Sequence, residues 1–257
     1  MLSRRSVALV ALAALTSSLA AEDYGKAARP EARQAPAPLP AAPEPRPTAT
    51  PVPTGTVRVR VLVAGANGKP LPAADAVAWF PGLRAPAPAP PPRPRMSSRD
   101  KRFDPRVLAV PAGTTVTFPN YDKIFHNVFS LSEPSQFDLG LYRNGASRTT
   151  SFEKPGVVSV FCNIHPQMAA FVVVVDGNLY AQTGPEGVAL IAGVPAGRQA
   201  LKAWEERGGE WNGTVVVPPG ETVDVTVSLD ASKWKALPHR NKHGKDYPPP
   251  DDDENRY

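Results

Sequence analysis

The reading turns on one stretch, Gly156-Val-Val-Ser-Val-Phe161-Cys162-Asn-Ile-His165-Pro-Gln-Met168-Ala-Ala-Phe-Val-Val-Val-Val175. Two short apolar runs rich in β-branched residues, Val157 to Phe161 and Ala170 to Val175, read as strands. The loop between them carries a thiol, an imidazole and a thioether within seven residues, so three donors can close around one ion. Upstream, Phe118-Pro-Asn-Tyr-Asp-Lys-Ile-Phe-His126-Asn-Val places a second imidazole where a loop re-enters a strand, 36 positions before Cys162. The end of a β-sandwich can bring two such loops together.

Working outward, Val107 to Val110, Thr114 to Phe118, Asn127 to Leu131 and Thr149 to Phe152 are further strand candidates, punctuated by Gly113, Asn120, Gly145 and Gly156. Ahead of them, Thr56 to Val63 alternates in the half-buried manner, Ala66-Asn67-Gly68 supplies a turn, and Ala76 to Phe80 gives another strand. No convincing amphipathic helix interrupts these runs. The fold class is therefore all-β, with residues 55–176 expected to form one antiparallel sandwich that the first strand pair completes. Beyond Gly177, Val188 to Ile191, Ala200 to Trp204, Thr214 to Val217 and Thr222 to Leu229 predict a smaller β module over 177–229 that leans on its neighbour. Trp204 and Trp211 read as its core or edge aromatics.

The flanks are of a different composition. Arg4 and Arg5 precede an apolar run from Val7 to Leu15, with small residues at Ser18 and Ala20, so residues 1–20 read as a cleaved signal peptide. Ser3-Arg4-Arg5 weakly resembles a twin-arginine signal, although Val7 is not bulky, and the export route stays open. Residues 21–54 are Pro-rich and read as a disordered, semi-rigid tether. A second Pro-rich run, Ala85 to Pro94 within an insertion spanning 83–97, reads as a surface loop. The tail, 230–257, is polar, ends in prolines and acids, and is expected to be poorly ordered. His239 and His243 within it read as solvated side chains rather than as a second metal site.

Charge and cysteine count narrow the function. Formal net charge is +5, the basic residues are scattered, and Asp251-Asp252-Asp253-Glu254 would repel phosphate, which argues against nucleic acid as a partner. No apolar stretch after the signal approaches the length of a membrane span. A single cysteine in a chain expected to be periplasmic or otherwise exported allows no intrachain disulfide, so its thiol has to be deeply buried or committed to a metal.

Taken singly, Cys162 reads as a small buried hydrophobe, Met168 as core, and His126 and His165 as satisfied structural histidines. Their coincidence is what points to chemistry. Two imidazoles and a thiolate with a weak methionine suit copper, whereas zinc more often takes four strong donors. A multicopper enzyme would need more histidines than the two left over from a total of four, and nothing argues for the open position and pocket of a single-copper enzyme. The chain therefore reads as a non-enzyme. Its rivals are a copper chaperone or storage protein, and a structural sandwich with no redox role.

On these residues the chain resembles the cupredoxins. The resemblance covers residues 96–176 and includes Phe103-Asp-Pro, Val110-Pro-Ala-Gly-Thr-Thr-Val-Thr-Phe118, Pro119-Asn120, His126-Asn-Val128 and the strand into Cys162. The Cys-x2-His-x2-Met spacing is that of amicyanin, shorter than that of plastocyanin. Phe129-Ser-Leu-Ser132, Phe137-Asp-Leu-Gly-Leu-Tyr142 and the appended β module are similar to bacterial proteins labelled methylamine-utilisation or plastocyanin-like, whose appendage looks like a carboxypeptidase regulatory-like module. The resemblance implies a Greek-key sandwich holding one type 1 (blue) copper, with His126, Cys162 and His165 equatorial and Met168 axial. It implies a monomeric electron carrier with transient redox partners. It also implies that the Asn127 N–H donates to the Cys162 sulfur, that Pro166 has no N–H to compete, and that His165, rimmed by Ile164, Pro166 and Gln167, is the electron port.

Overall fold

The computed structural model describes residues 52–85, 93–235 and 239–247. The signal segment, nearly all of the tether, the centre of the Pro-rich insertion and the acidic end of the chain lie outside the described residues. Within them the chain forms strands and no helix, hence no helix long and apolar enough to cross a membrane.

The strands run in order as β1 (Thr54–Ala64), β2 (Pro70–Pro72), β3 (Val77–Trp79), β4 (Ser97–Arg99), β5 (Arg102–Asp104) and β6 (Val107–Pro111). Then come β7 (Thr114–Pro119), β8 (His126–Ser132), β9 (Ser135–Tyr142), β10 (Ser147–Phe152), β11 (Gly156–Phe161) and β12 (Ala169–Val175). The last are β13 (Tyr180–Gln182), β14 (Val188–Pro195), β15 (Gly197–Glu205), β16 (Gly209–Val217) and β17 (Thr222–Asp230).

Pairing sorts these strands into two sets. A five-stranded sheet in the order β6-β12-β11-β8-β9 packs against the β7–β10 pair and the β4–β5 hairpin. Met96, Phe103, Val116, Phe118, Phe152, Val158 and Val172 fill the space between them, together with Cys162 and Met168. The other set pairs β14-β1-β17, with β2 attached to β1, and β13-β3-β15-β16. Its core holds Val57, Val59, Val61 and Val63 against Phe80, Ile191, Leu201 and Val227.

The first strand pair thus does not complete the sandwich of residues 96–176, contrary to the sequence expectation. β1 lies antiparallel to β14, with Val59 opposite Ala189, and parallel to β17, with Val59 opposite Val225. β3 lies between β13 and β15. The alternation of Val57, Val59, Val61 and Val63 with Arg58 and Arg60 requires that one face be covered. It is silent on which strands cover it. The second set is larger than the expected 177–229 module because it recruits strands from before the metal-loop region.

β12 joins the two sets. Val172 and Val174 point into the core that contains Cys162, while Val173 and Val175 pack with Val77, Trp79, Val107 and Trp204. A strand covered on both faces has no polar face to show, which is why it reads as an unbroken apolar run. Trp204 lies against Phe171 with ring centroids 5.3 Å apart, and Trp79 Nε1 donates to Asp176 Oδ1 at 3.1 Å. Arg106 donates to both Glu206 oxygens, at 2.8 and 2.6 Å, and to the Ala169 carbonyl at 3.0 Å. At the exit of β12, Gly177 has φ 124°, and a Cβ there would meet the Leu83 carbonyl oxygen at 2.5 Å. The strand that leaves the Cys162 loop is therefore held from behind by the second sandwich.

The described part of the tail departs from expectation. Residues 239–247 fold against the Cys162 loop, and Tyr247 and His239 are half-buried there.

Trp204→Ala removes the aromatic wedge between the two sandwiches and should destabilise the protein by about 3 kcal/mol, as large-to-small changes at packed aromatic sites do. Urea unfolding measures this. A loss under about 1 kcal/mol would mean the interface around β12 contributes little.

Candidate metal centre

Two strand ends and one loop build the site. Cys162 follows the last residue of β11 and His126 opens β8, with Phe161 paired to Phe129 across the two strands. The adjacent strands thereby set the two side chains at the same end of the sandwich. From Cys162 the chain turns through His165 and Met168, and closes with the Met168 N–H donating to the His165 carbonyl at 3.0 Å and the Cys162 N–H to the Met168 carbonyl at 3.2 Å. The turn folds His165 back over the sulfur.

Cys162 Sγ lies 3.9 Å from His126 Nδ1 and 3.5 Å from His165 Nδ1, and the three donor atoms all fall within 4.8 Å of one another. A metal with bonds of about 2.3 Å to sulfur and about 2.0 Å to nitrogen spaces sulfur and nitrogen roughly 3.5–3.7 Å apart at tetrahedral to trigonal angles, and both observed spacings lie within about 0.2 Å of that range. The donor set fits one ion. Cys162, His126 and Met168 are fully buried, and His165 is 8% exposed. Met168 belongs to the same buried cluster as Cys162.

Which imidazole nitrogen faces the sulfur is decided behind His126. Its Nε2 is 2.7 Å from Asp122 Oδ2, and because a carboxylate can only accept, Nε2 carries the proton and Nδ1 presents its lone pair inward. Asp122 is itself fixed by the N–H groups of Asp100 at 2.6 Å and Lys101 at 3.0 Å. Burial works to raise its pKa, but the Lys101 amide, the His126 ring and the Asp100 amide together hold the carboxyl below the ordinary range. Burial in turn lowers the His126 pKa against the pull of Asp122, favouring the neutral ring that a metal requires. The loop is tied down by Asn120, whose Nδ2 donates to the Ile124 carbonyl at 2.9 Å and the Tyr142 carbonyl at 3.1 Å.

Around the sulfur, burial raises the thiol pKa above its ordinary value, while the N–H groups of Asn127, Ile164 and His165 point at it and favour the thiolate. Neutral and buried, Cys162 is inert. Thiolate character becomes favourable when a cation also enters the site. Asn127 joins the two halves through its side chain: Oδ1 accepts from the Asn163 N–H at 3.3 Å and Nδ2 donates to Asp138 Oδ1 at 2.7 Å.

The structure thus brings His126, Cys162 and His165 together and sets the Asn127 amide on the sulfur. Sequence reasoning missed Asp122, Asn163 and Asp138. Asp122 carried a signal in its position four residues before His126, inside the loop already singled out, whereas Asp138 gave none. The described tail includes His239, which stacks on Phe161, and not the solvated side chain expected, while His243 is exposed.

No family model and no curated protein matches the chain. Parts of it are similar to solved structures. One is a copper-containing nitrite reductase from Thermus scotoductus SA-01, 28% identical over 33% of this chain with a TM-score of 0.31, of which the chain spans only 22%. Another is a purple cupredoxin from Nitrosopumilus maritimus, 26% identical over 32% of this chain and 98% of its own, with a TM-score of 0.29. A third is an amicyanin variant in the Cu(I) state, 22% identical over 38% of this chain and 97% of its own, with a TM-score of 0.31. At these TM-scores the chemistry has to be read from the residues themselves.

Asp122→Ala leaves the His126 Nε2 proton and two backbone N–H groups without their acceptor. It should cost the metal-free protein about 2 kcal/mol in urea unfolding, the range for orphaned buried donors. An unchanged midpoint would show that water replaces the carboxylate and that Asp122 does not orient the ring.

Proposed function

We propose that this chain is an exported electron carrier, with one copper held by His126, Cys162 and His165 and more weakly by Met168. The observation that carries the reading is the convergence of one sulfur and two inward-facing Nδ1 atoms within 4.8 Å in a buried site. A thiolate and two imidazoles, with a thioether on the same loop, form a mixed donor set that suits both oxidation states of copper. Copper supplies a one-electron couple, so an electron can be taken up and passed on with no bond made to a substrate.

The protein's own contribution is to hold the donors still. The Asp122–His126 hydrogen bond, the three amides on the sulfur and the Asn127 bridge between the two ligand segments all resist rearrangement, which keeps the cost of changing oxidation state low. His165, with its 8% exposure, is the ligand nearest to solvent and the natural port for a transient partner. Tyr121 and Phe125, on the loop before His126, are exposed apolar residues that a weakly bound partner could cover.

A chaperone or storage role fits less well. Such proteins exchange metal through accessible sulfur and imidazole, whereas both methionines among the described residues, Met96 and Met168, are fully buried, as is Cys162. The second sandwich corresponds in this reading to the carboxypeptidase regulatory-like module. It acts as the platform that backs β12, and the signal-like composition of residues 1–20 supports a periplasmic or otherwise exported location.

Titrating Cu(II) into the purified chain should give one copper per protein. It should also give an intense visible thiolate-to-copper band that reductant bleaches, oxidant restores and Cys162→Ser abolishes. Colourless or rapidly chelated copper, or a band that survives Cys162→Ser, would contradict the assignment.

A further inference from the structure

Residues 239–247 fold against the Cys162 loop. Residues 241–245 fold into a tight turn: Asn241 Oδ1 accepts the N–H groups of His243 at 2.9 Å and Lys245 at 3.1 Å, and the Asn241 N–H donates to the Lys245 carbonyl at 2.9 Å. Gly244, at φ 71°, supplies the left-handed residue the turn requires. The turn presents Lys242 to the site. Its N–H donates to Asn163 Oδ1 at 2.9 Å and its Nζ to Asp138 Oδ2 at 2.7 Å.

With the Asn127 bonds, these contacts close a ring. Lys242 holds Asn163, Asn163 holds Asn127, Asn127 holds Asp138, and Asp138 returns to Lys242. Asn127 directly follows His126 and Asn163 directly follows Cys162. Residues 242–245 thus stitch together the residues next to two of the site's donors, which lie at the ends of separate strands, β8 and β11. On either side of the turn, Tyr247 Oη donates to the Cys162 carbonyl at 2.7 Å, and the His239 ring stacks on Phe161 at 4.1 Å with 19° between planes. Tyr247 Oη is also 3.2 Å from His239 Nδ1, and the two rings meet edge to face at 5.2 Å.

Phe161, Cys162 and Asn163 are therefore each held by a different residue of one segment. We propose that His239–Tyr247 is a clamp on the metal centre, in which Tyr247 and Lys242 are positioning residues that keep the Cys162 loop in its ligating arrangement and slow the exchange of its metal. This rests on the copper reading for its purpose. The clamping itself is a property of the metal-free protein.

A buried thiol reacts only when the structure around it opens, so its reactivity measures local opening. The test uses the full chain without metal and follows the reaction of Cys162 with a thiol-specific reagent. Tyr247→Phe should raise the rate about fivefold, the equivalent of one net hydrogen bond. Lys242→Met should raise it about threefold, as for a partly exposed charged pair, and Lys242→Arg should restore the original rate within about twofold. The urea midpoint of the sandwiches should stay in place in all three. If Tyr247→Phe perturbs folding, the Lys242 pair alone decides.

Copper-loaded protein supplies a second readout. Both disruptive variants should lose copper to a chelator faster by similar factors and shift the visible charge-transfer band, with Lys242→Arg again close to the original. Thiol and chelation rates unchanged in Tyr247→Phe and Lys242→Met would overturn the clamp. Failure of the unaltered chain to bind copper would instead overturn the metal assignment, and the thiol rates would still judge the clamp on their own.

Discussion

Everything at this end of the molecule follows from bringing the Cys162 sulfur and two imidazole nitrogens together out of contact with water. Burying three polar donors at such short range is unfavourable unless each has its protonation state and orientation fixed by neighbours. The structure meets that requirement residue by residue. Asp122 fixes the tautomer of His126, main-chain amides turn toward the sulfur, and the Met168–His165 turn folds the loop back on itself. Hydrogen bonds that look incidental when taken one at a time form a single frame around the place an ion would occupy.

The second sandwich extends that frame. The strand leaving the Cys162 loop, β12, is buried on one face by the core containing the site and on the other by Trp79, Trp204 and Val77. Arg106 fastens the same strand at its start, through the Ala169 carbonyl, to Glu206. A loop whose following strand is packed on both faces has little freedom to move, which suits a site whose ligands should hardly shift when its charge changes. The tail supports the loop from the other side.

The all-β class and the clustering of the candidate donors are readable in the sequence because both are local. Strand periods show in Val157 to Phe161 and in Thr56 to Val63, and Cys162, His165 and Met168 lie in one short run. What stayed hidden is long-range. The alternating valines of β1 report that one face is covered, yet its sheet partners β14 and β17, and the strands β15 and β16 that set Leu201 and Val215 against that face, lie more than a hundred residues away. Val172 to Val175, with no polar alternation, was the signal that a second layer packs on β12. β9 was missed as a strand because Gly140, at φ 69°, breaks its pattern, and its pairing with β8 shifts register between Asn127 and Phe129. The tail looked disordered because its composition is polar. The order of residues 239–247 comes from specific contacts, Lys242 on Asn163 and Asp138 and Tyr247 on the Cys162 carbonyl, that a polar composition does not reveal.

The central claim is that the sulfur and both imidazoles bind the same copper. X-ray absorption at the copper edge of the loaded full chain tests this most directly, because it counts and identifies the atoms bound to the metal. The account predicts one short copper–sulfur contact and two imidazole nitrogens, with the sulfur lost in Cys162→Ser. A spectrum with only nitrogen and oxygen neighbours would contradict it.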